Sequence, residues 1–491
     1  MIALKVVNHD YTYELSDIIK MFFGKEDIKL TDSEALAENQ SFFLVSSIVS
    51  EPCVPVCKSE IVYEDGRRYE SSHPLEAGWT EDEKKVKRAV KMSMYKLLSK
   101  ALEKEFPWGV LTGIRPVKLV HEMLDRGEDR SSIIAAMKTN YLVSGDRAKL
   151  AADIAETERK YIYPANSRTV SVYAGIPFCP TRCHYCSFTS NSIKAAGKYV
   201  DGYLASMKKE IEAVGSFLSE NSIVTESIYL GGGTPTSINE EQLEDLLQHL
   251  NRTFGGHLRE FTCEAGRPDT INKKKLEILK RNGVGRLSIN PQTMNDDTLV
   301  RIGRAHDSGS VVRSFALARE MGFDNINMDL ILGLPGEGTV ELEKTLEAIR
   351  KLQPDSVTVH TMAIKRASVY NEIYGSIKLA DDEEIIRMME LAKAAMKGMD
   401  LQPYYLYRQK HMLQNMENIG FAKRGKECIY NMQIIEERQT NVAFGADAVT
   451  KAVFGSQNRI ERQHNIKDIK LYIENIDRMI ERKQALLEQV L

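Results

Sequence analysis

Between about residues 166 and 400 the chain alternates strand-like and helix-like stretches six times, an order that few folds accept. TVSVYAG precedes a helical stretch over Tyr199 to Leu218, and SIYLGGGTPT precedes one over Glu240 to Leu250. REFTCEA leads to Lys273–Asn282, and RLSIN to helical segments reaching Arg304 and then Ser308–Met321. NINMDLILGLP leads to Val340–Leu352, and DSVTVHTM to Asp382–Met396. Strands separated by helices form a parallel sheet with right-handed crossovers. INMDLIL is apolar almost throughout, as a strand covered on both faces must be. Six units rather than eight predict an α/β fold built on an open, partial (β/α)6 barrel.

In such barrels ligands sit at the C-terminal ends of the strands, and the unusual residues of every unit fall there. Strand one ends at a loop holding Cys179, Cys183 and Cys186, spaced C-x3-C-x2-C. Strand two ends in Gly231-Gly232-Gly233-Thr234-Pro235, where missing side chains let backbone groups approach a ligand. Strand three ends in Glu264, and strand four leads to Gln292. Strand five carries Asp329, and strand six ends near Ala363. Glu264 and Asp329 are carboxylates on otherwise apolar strands and need partners, either ligand groups or a neighbouring cation. Arg304 has the fork to hold a carboxylate bidentately.

Three soft thiolates on one short loop suit one face of a [4Fe–4S] cluster and leave the fourth iron open for a small molecule. A zinc site, which takes four N or S ligands, is the alternative, but His184 lies between two of the cysteines with little room to reach the same metal. Seven cysteines in 491 residues do not make a disulfide framework, so a reducing, cytoplasmic setting is expected. The start MIALKVVNHD lacks the order of a signal peptide. No run of 18 apolar residues occurs, so no membrane span is expected. A net charge of −3 argues against a nucleic-acid partner.

Residues 1–165 read as an α+β domain with a helical connector, 166–400 as the barrel, and 401–491 as a mostly helical cap. IALKVV and YTYEL around Asn8-His9-Asp10 suggest a hairpin, and SFFLVSSIVS with EIVYED a second extended pair. Thr80 and Glu83 form a capping box for a helix through Val86, Val90, Met94 and Leu97, and Pro116 suits the first turn of a later one. Cys53 and Cys57, also C-x3-C, lack further ligands nearby. Arg115 and Lys118 in TGIRPVKL are either anion contacts or solvated charges. Tyr404, Tyr405, Tyr407, Arg408 and Lys410 are either a patch flanking a flat acidic ligand or a packed strand. Cys263 and Cys428 read as lone buried thiols.

Taken together, YxxIPFCxxxCxYC, GGGTPT, RLSxxxQ, GRxH and the MDLIxGLPGE-like segment resemble, in order, the coproporphyrinogen III dehydrogenase-like branch of the radical S-adenosylmethionine (SAM) superfamily. The likeness covers about residues 170–365 and is greatest to the HemZ group, through GIPFCPTRCHYCSF, VHTMAIKRAS, YYLYRQKHM, TGIRP and FGADAVTK. It implies a partial radical-SAM barrel, with Cys179, Cys183 and Cys186 on a [4Fe–4S] cluster. It places Tyr173, Gly232 and Glu264 at one SAM. Tyr185, Gly233, Thr234, Gln292, Arg304, Asp329 and Ala363 would surround a second, if this chain binds two. It further implies a tetrapyrrole substrate and an external electron donor such as flavodoxin or ferredoxin, with propionates of coproporphyrinogen III decarboxylated to vinyl groups. The chain departs from the decarboxylating members at Phe188, where they carry a further cysteine, at Gly175, where a histidine is common, and in lacking their PRYTSYP-like segment. Those departures leave open a haem-binding chaperone of the same branch, or methyl transfer to or ring opening of a tetrapyrrole.

Overall fold

A computed structural model describes residues 1–491 except 25, 33–40, 52–53, 77, 80–81, 114, 189, 364–367, 373–378, 410–411 and 458. Cys53, Thr80 and Lys410 therefore lie outside the described residues. Two compact units emerge where the sequence suggested three stretches. One comprises Met1–Ala152 with Arg408–Met416, the other Asp153–Tyr407 with Glu417–Leu491.

The first unit begins with β1 (Ile2–Val7), α1 (Thr12–Phe23), β2 (Ile28–Leu30), β3 (Phe42–Val49), β4 (Val56–Tyr63) and β5 (Arg68–Pro74). It continues through α2 (Glu83–Leu102), α3 (Pro116–Asp125), α4 (Arg130–Tyr141) and the start of α5 (Gly145–Ile162). The sheet order is β2-β1-β3-β4-β5, and β3 and β4 pair antiparallel as expected. The hairpin expected at the N-terminus does not form. YTYEL opens α1, because Leu15, Ile18 and Ile19 continue its pattern at helical spacing and all three are buried. β1 instead pairs parallel to β2 and β3. α2 is capped by Asp82, whose carboxylate accepts from the Lys84 N–H at 3.0 Å. Pro116 starts α3 as expected, with Arg115 at its N-cap. Cys57 is buried in the apolar core, and burial pushes its thiol up to about 12, so it stays protonated.

In the second unit β6 (Thr169–Ile176) leads to two short strands, β7 (Phe178–Cys179) and β8 (Asn191–Ser192), then α6 (Ile193–Ala196) and α7 (Val200–Glu220). Next come β9 (Val224–Gly232), α8 (Glu240–Phe254), β10 (Glu260–Gly266), α9 (Lys273–Arg281) and β11 (Arg286–Ile289). α10 (Asp296–Arg301), α11 (Ser308–Glu320), β12 (Ile326–Leu332), α12 (Thr339–Leu352), β13 (Ser356–Thr361), α13 (Val369–Glu372) and α14 (Asp382–Gly398) complete the barrel units. After them come β14 (Gln402–Tyr407), β15 (Asn418–Ala422), α15 (Ile429–Glu436), β16 (Thr440–Phe444), β17 (Val449–Phe454), β18 (Arg459–His464), α16 (Ile469–Glu474) and α17 (Ile476–Leu487).

The six expected strands β6, β9, β10, β11, β12 and β13 lie side by side in sequence order and pair parallel. The sheet stays open, ending at β14 and β18. The expectation of a mostly helical C-terminal extension holds for α16 and α17 and is amended by five strands. β16 adds parallel to β6, pairing Thr440 with Val170, while β15 closes antiparallel on β13. These strands are only five or six residues long, so no long alternation announces them. On the helical side Leu243, Leu246, Leu247 and Leu250 of α8 are buried, each worth roughly 1.5–3 kcal/mol.

Candidate active site

β6 runs into the cysteine loop, and β9 beside it ends in the glycines, so the two features meet. The Gly233 N–H donates to Ile176 O at 2.8 Å and the Thr234 N–H to Phe178 O at 2.9 Å. Gly232 has φ +107°, a conformation that L side chains rarely adopt. A Cβ on Gly233 would stand 2.8 Å from Cys179 Sγ and 2.8 Å from Phe178 O, so only glycine fits this approach. Thr234, buried, places its hydroxyl 3.4 Å from Cys179 Sγ. Burial pushes the Cys179 thiol up to about 11; the Thr234 hydroxyl and Arg267 oppose this, while Cys183 and Cys186 are close enough to add to it. All three cysteines are free thiols, with Cys179 buried and the other two half-buried. The Cys186 N–H donates to Cys183 O at 3.1 Å, closing the loop on itself.

Tyr185 and Arg304 form the next pair: Arg304 Nη2 donates to the Tyr185 hydroxyl at 3.0 Å. Nη1 donates to Asn290 O, while Nε is buried with no partner. That spare buried donor is what an anionic ligand would satisfy. Gln292, at φ +66°, donates its N–H to Asp329 O at 2.9 Å and accepts from the Ile331 N–H at 3.0 Å. A non-glycine residue held there stores strain typical of ligand sites. Ala363 is buried just beyond Met362, whose N–H bonds Leu332 O at 2.9 Å.

Inside the barrel Tyr173 stacks on Tyr229 and on Tyr430, each at 6.4 Å between ring centres. The Tyr229 hydroxyl donates to Glu264 Oε1, and Glu264 Oε2 lies against Gly231. Burial first, and the Asp329 charge next to it, push the Glu264 carboxyl up to about 7, against the pull of the Tyr229 hydroxyl and the Arg286 guanidinium. Asp329 is also buried, but His360 (3.8 Å) and Asn327 (2.7 Å) hold it below the usual carboxylate range. The two carboxylates read alike in the sequence, yet neighbours set them apart.

A pH experiment follows from Glu264. Its raised pKa means stability is fully present below the unfolded value of 4.5 and is lost as pH rises through about 7. In protein without added SAM, Glu264→Gln should therefore gain up to about 3 kcal/mol relative to wild type between pH 4.5 and 7.5. Urea denaturation across that range tests it; parallel curves for the two proteins would contradict it.

The sequence missed Arg267, which resembles a loop charge three residues past Glu264, although it shares the strand-end position that marked the others. Its side chain is only 4 % exposed and pairs with Asp269. The tyrosine-rich segment resolves as packing: Tyr404 and Tyr405 are buried, Tyr405 filling the space that Gly420 leaves open. Arg408 is buried over Trp108, and Tyr407 meets His360 Nδ1 at 3.3 Å. Cys428 donates to Glu260 Oε1 at 3.2 Å. Burial raises the thiols of Cys428 and Cys263.

Residues 173–349 match the family model described as the radical SAM superfamily. The oxygen-independent coproporphyrinogen-III oxidase-like protein HemZ of Bacillus subtilis is 38 % identical over 92 % of this chain and 92 % of its own. The heme chaperone HemW of Bacillus subtilis is 33 % identical over 62 % of this chain and 76 % of its own. The solved coproporphyrinogen III oxidase HemN of Escherichia coli, 23 % identical over 66 % of this chain and 73 % of its own, superposes with a TM-score of 0.53 and thus shares the fold.

Proposed function

The chain belongs to the coproporphyrinogen oxidase-like branch of the radical SAM superfamily, and from that membership we propose an oxygen-independent enzyme of tetrapyrrole synthesis that decarboxylates coproporphyrinogen III. The family implies a [4Fe–4S] cluster and SAM as cofactors. The close seat of Gly233 against Cys179 Sγ, with no room for a Cβ, carries this reading, and the unpartnered Arg304 Nε agrees with it.

In this reading Cys179, Cys183 and Cys186 hold the cluster. When bound and reduced by an external one-electron donor, the cofactor pair would supply reductive cleavage of a carbon–sulfur bond. Gly232 would offer backbone groups to SAM, with Tyr173 and Glu264 at the same ligand from β6 and β10, and Gly233 would belong with the second set. Arg304 pairs with a ligand carboxylate through its free donor, with Tyr185 orienting the guanidinium. Gln292, Thr234, Asp329 and Ala363 line the place for a second SAM or the substrate. Two propionates would become vinyl groups with loss of carbon dioxide, giving protoporphyrinogen IX. No helix among the described residues is long and apolar enough to cross a membrane.

One observation favours a second reading, a haem-binding chaperone. Phe188, 66 % exposed, occupies the place of the extra cysteine that the decarboxylating members carry. Anaerobic incubation of cluster-loaded protein with SAM, dithionite and coproporphyrinogen III separates the two. Protoporphyrinogen appearing together with 5′-deoxyadenosine is the expected result; stoichiometric haem binding without turnover would replace the enzyme with the chaperone.

A further inference from the structure

Cys183 is flanked by a buried cation whose geometry none of the strand-end motifs predicts. Arg267 follows β10 and reaches back to the cysteine loop. Its Nε and Nη2 donate to the two oxygens of Asp269, each at 2.9 Å, which fixes the plane of the guanidinium. The remaining nitrogen, Nη1, is thereby aimed at the loop. It donates to Thr181 Oγ1 at 3.0 Å, to Thr181 O at 3.4 Å and to Cys183 Sγ at 3.8 Å. The Thr181 hydroxyl in turn donates to Gly303 O at 3.1 Å. Behind the pair, His306 Nδ1 stands 3.6 Å from Asp269 Oδ1, so Asp269 is held from two sides.

This is more than an ion pair needs. A bidentate pair uses two of the five guanidinium N–H groups, and here a guanidinium only 4 % exposed holds its remaining nitrogen 3.8 Å from a half-buried sulfur. The Cys183 thiol stands in for the thiolate that would bind iron. Hydrogen bonds to ligand sulfurs and nearby charge are recognised levers on the potential of an iron–sulfur centre. A cation and an N–H donor at the sulfur stabilise the form carrying one more electron, because that form places more negative charge there.

We propose that Arg267, oriented by Asp269, is a positioning residue that anchors the cysteine loop at Thr181 and raises the reduction potential of the cluster through Cys183. The proposal rests on the cluster assignment made above. Arg304 also approaches Cys183, but it divides its donors among that sulfur, the Tyr185 hydroxyl and Asn290 O. Arg267 spends its third nitrogen on the loop alone.

The test is a redox titration of anaerobically reconstituted full-length protein without SAM, followed by electron paramagnetic resonance, on wild type, Arg267→Gln and Arg267→Lys. Iron and sulfide content are measured alongside. Arg267→Gln should hold its cluster with the ratio of reduced to oxidised form about tenfold lower at a fixed potential, ~59 mV for a one-electron couple. Arg267→Lys, keeping the charge, should fall between the two. An unchanged potential in loaded Arg267→Gln overturns the proposal. So does loss of the cluster from both variants with unaltered thermal unfolding, which would make Arg267 part of the cluster-holding scaffold only. Wild type that binds no iron would instead overturn the cluster assignment itself.

Discussion

Cys183→Ala, reconstituted anaerobically with iron and sulfide, is expected to lose its iron and at least about 100-fold of its SAM cleavage. Changing groups that merely orient a metal ligand costs 10–100-fold, and Cys183 is one of only three thiols on the loop. The fold should not suffer. Cys183 is half-buried on a loop, away from the apolar core, so the stability of the cluster-free protein should stay within about 0.5 kcal/mol of wild type. Iron analysis and 5′-deoxyadenosine assay, set beside urea denaturation, separate loss of the site from loss of the structure. Cys263→Ala is the control, since that buried thiol should leave iron content intact. Retention of both iron and cleavage in Cys183→Ala would remove the basis of the proposed function.

Lys483→Met should strongly destabilise the barrel unit, costing about 3–5 kcal/mol. Lys483 of α17 and Glu210 of α7 form an ion pair at 2.5 Å with both side chains fully buried. Glu210 also accepts from the Tyr472 hydroxyl at 2.7 Å, Asn465 Nδ2 at 2.8 Å and the Gly445 N–H at 3.1 Å. Lys483 donates further to Ala443 O of β16. Burial lowers the lysine pKa, and only the Glu210 carboxylate opposes that. Removing the ammonium leaves a carboxylate charge in a dry site with neutral donors alone. Lys483→Met combined with Glu210→Leu should recover most of the loss, because two matched apolar groups need no desolvation of charge. Urea denaturation of the three proteins measures this; a loss under about 1 kcal/mol in Lys483→Met would show that the pair is not the anchor of α17. The anchor extends to the site: Tyr203 of α7 accepts from the Ala446 N–H at 3.1 Å and donates to Gly175 O at 2.5 Å, at the end of β6.

Much of the barrel was legible because its signals are local. Strand and helix periods repeat within ten to twenty residues, and the strand ends of β6 and β9 through β13 fell within a few residues of where the alternation put them. The same locality misled at the N-terminus, where five residues of YTYEL looked like a strand and the next eight settled a helix. It also hid β15 and β16, which join the barrel sheet through β13 and β6, strands that lie far back along the chain.

By itself the sequence determined the three-thiol loop, the glycine strip and the carboxylates at strand ends, since residue type and short spacing are all that those features require. Only the tertiary structure decided that β16 lies beside β6 and that Glu210 meets Lys483, 273 residues away. It alone decided that Arg267 aims at Cys183. It also separated Glu264, pushed up to about 7, from Asp329, held low. Each of these depends on which distant segments meet and on how completely they exclude water, and no local pattern of residues encodes either.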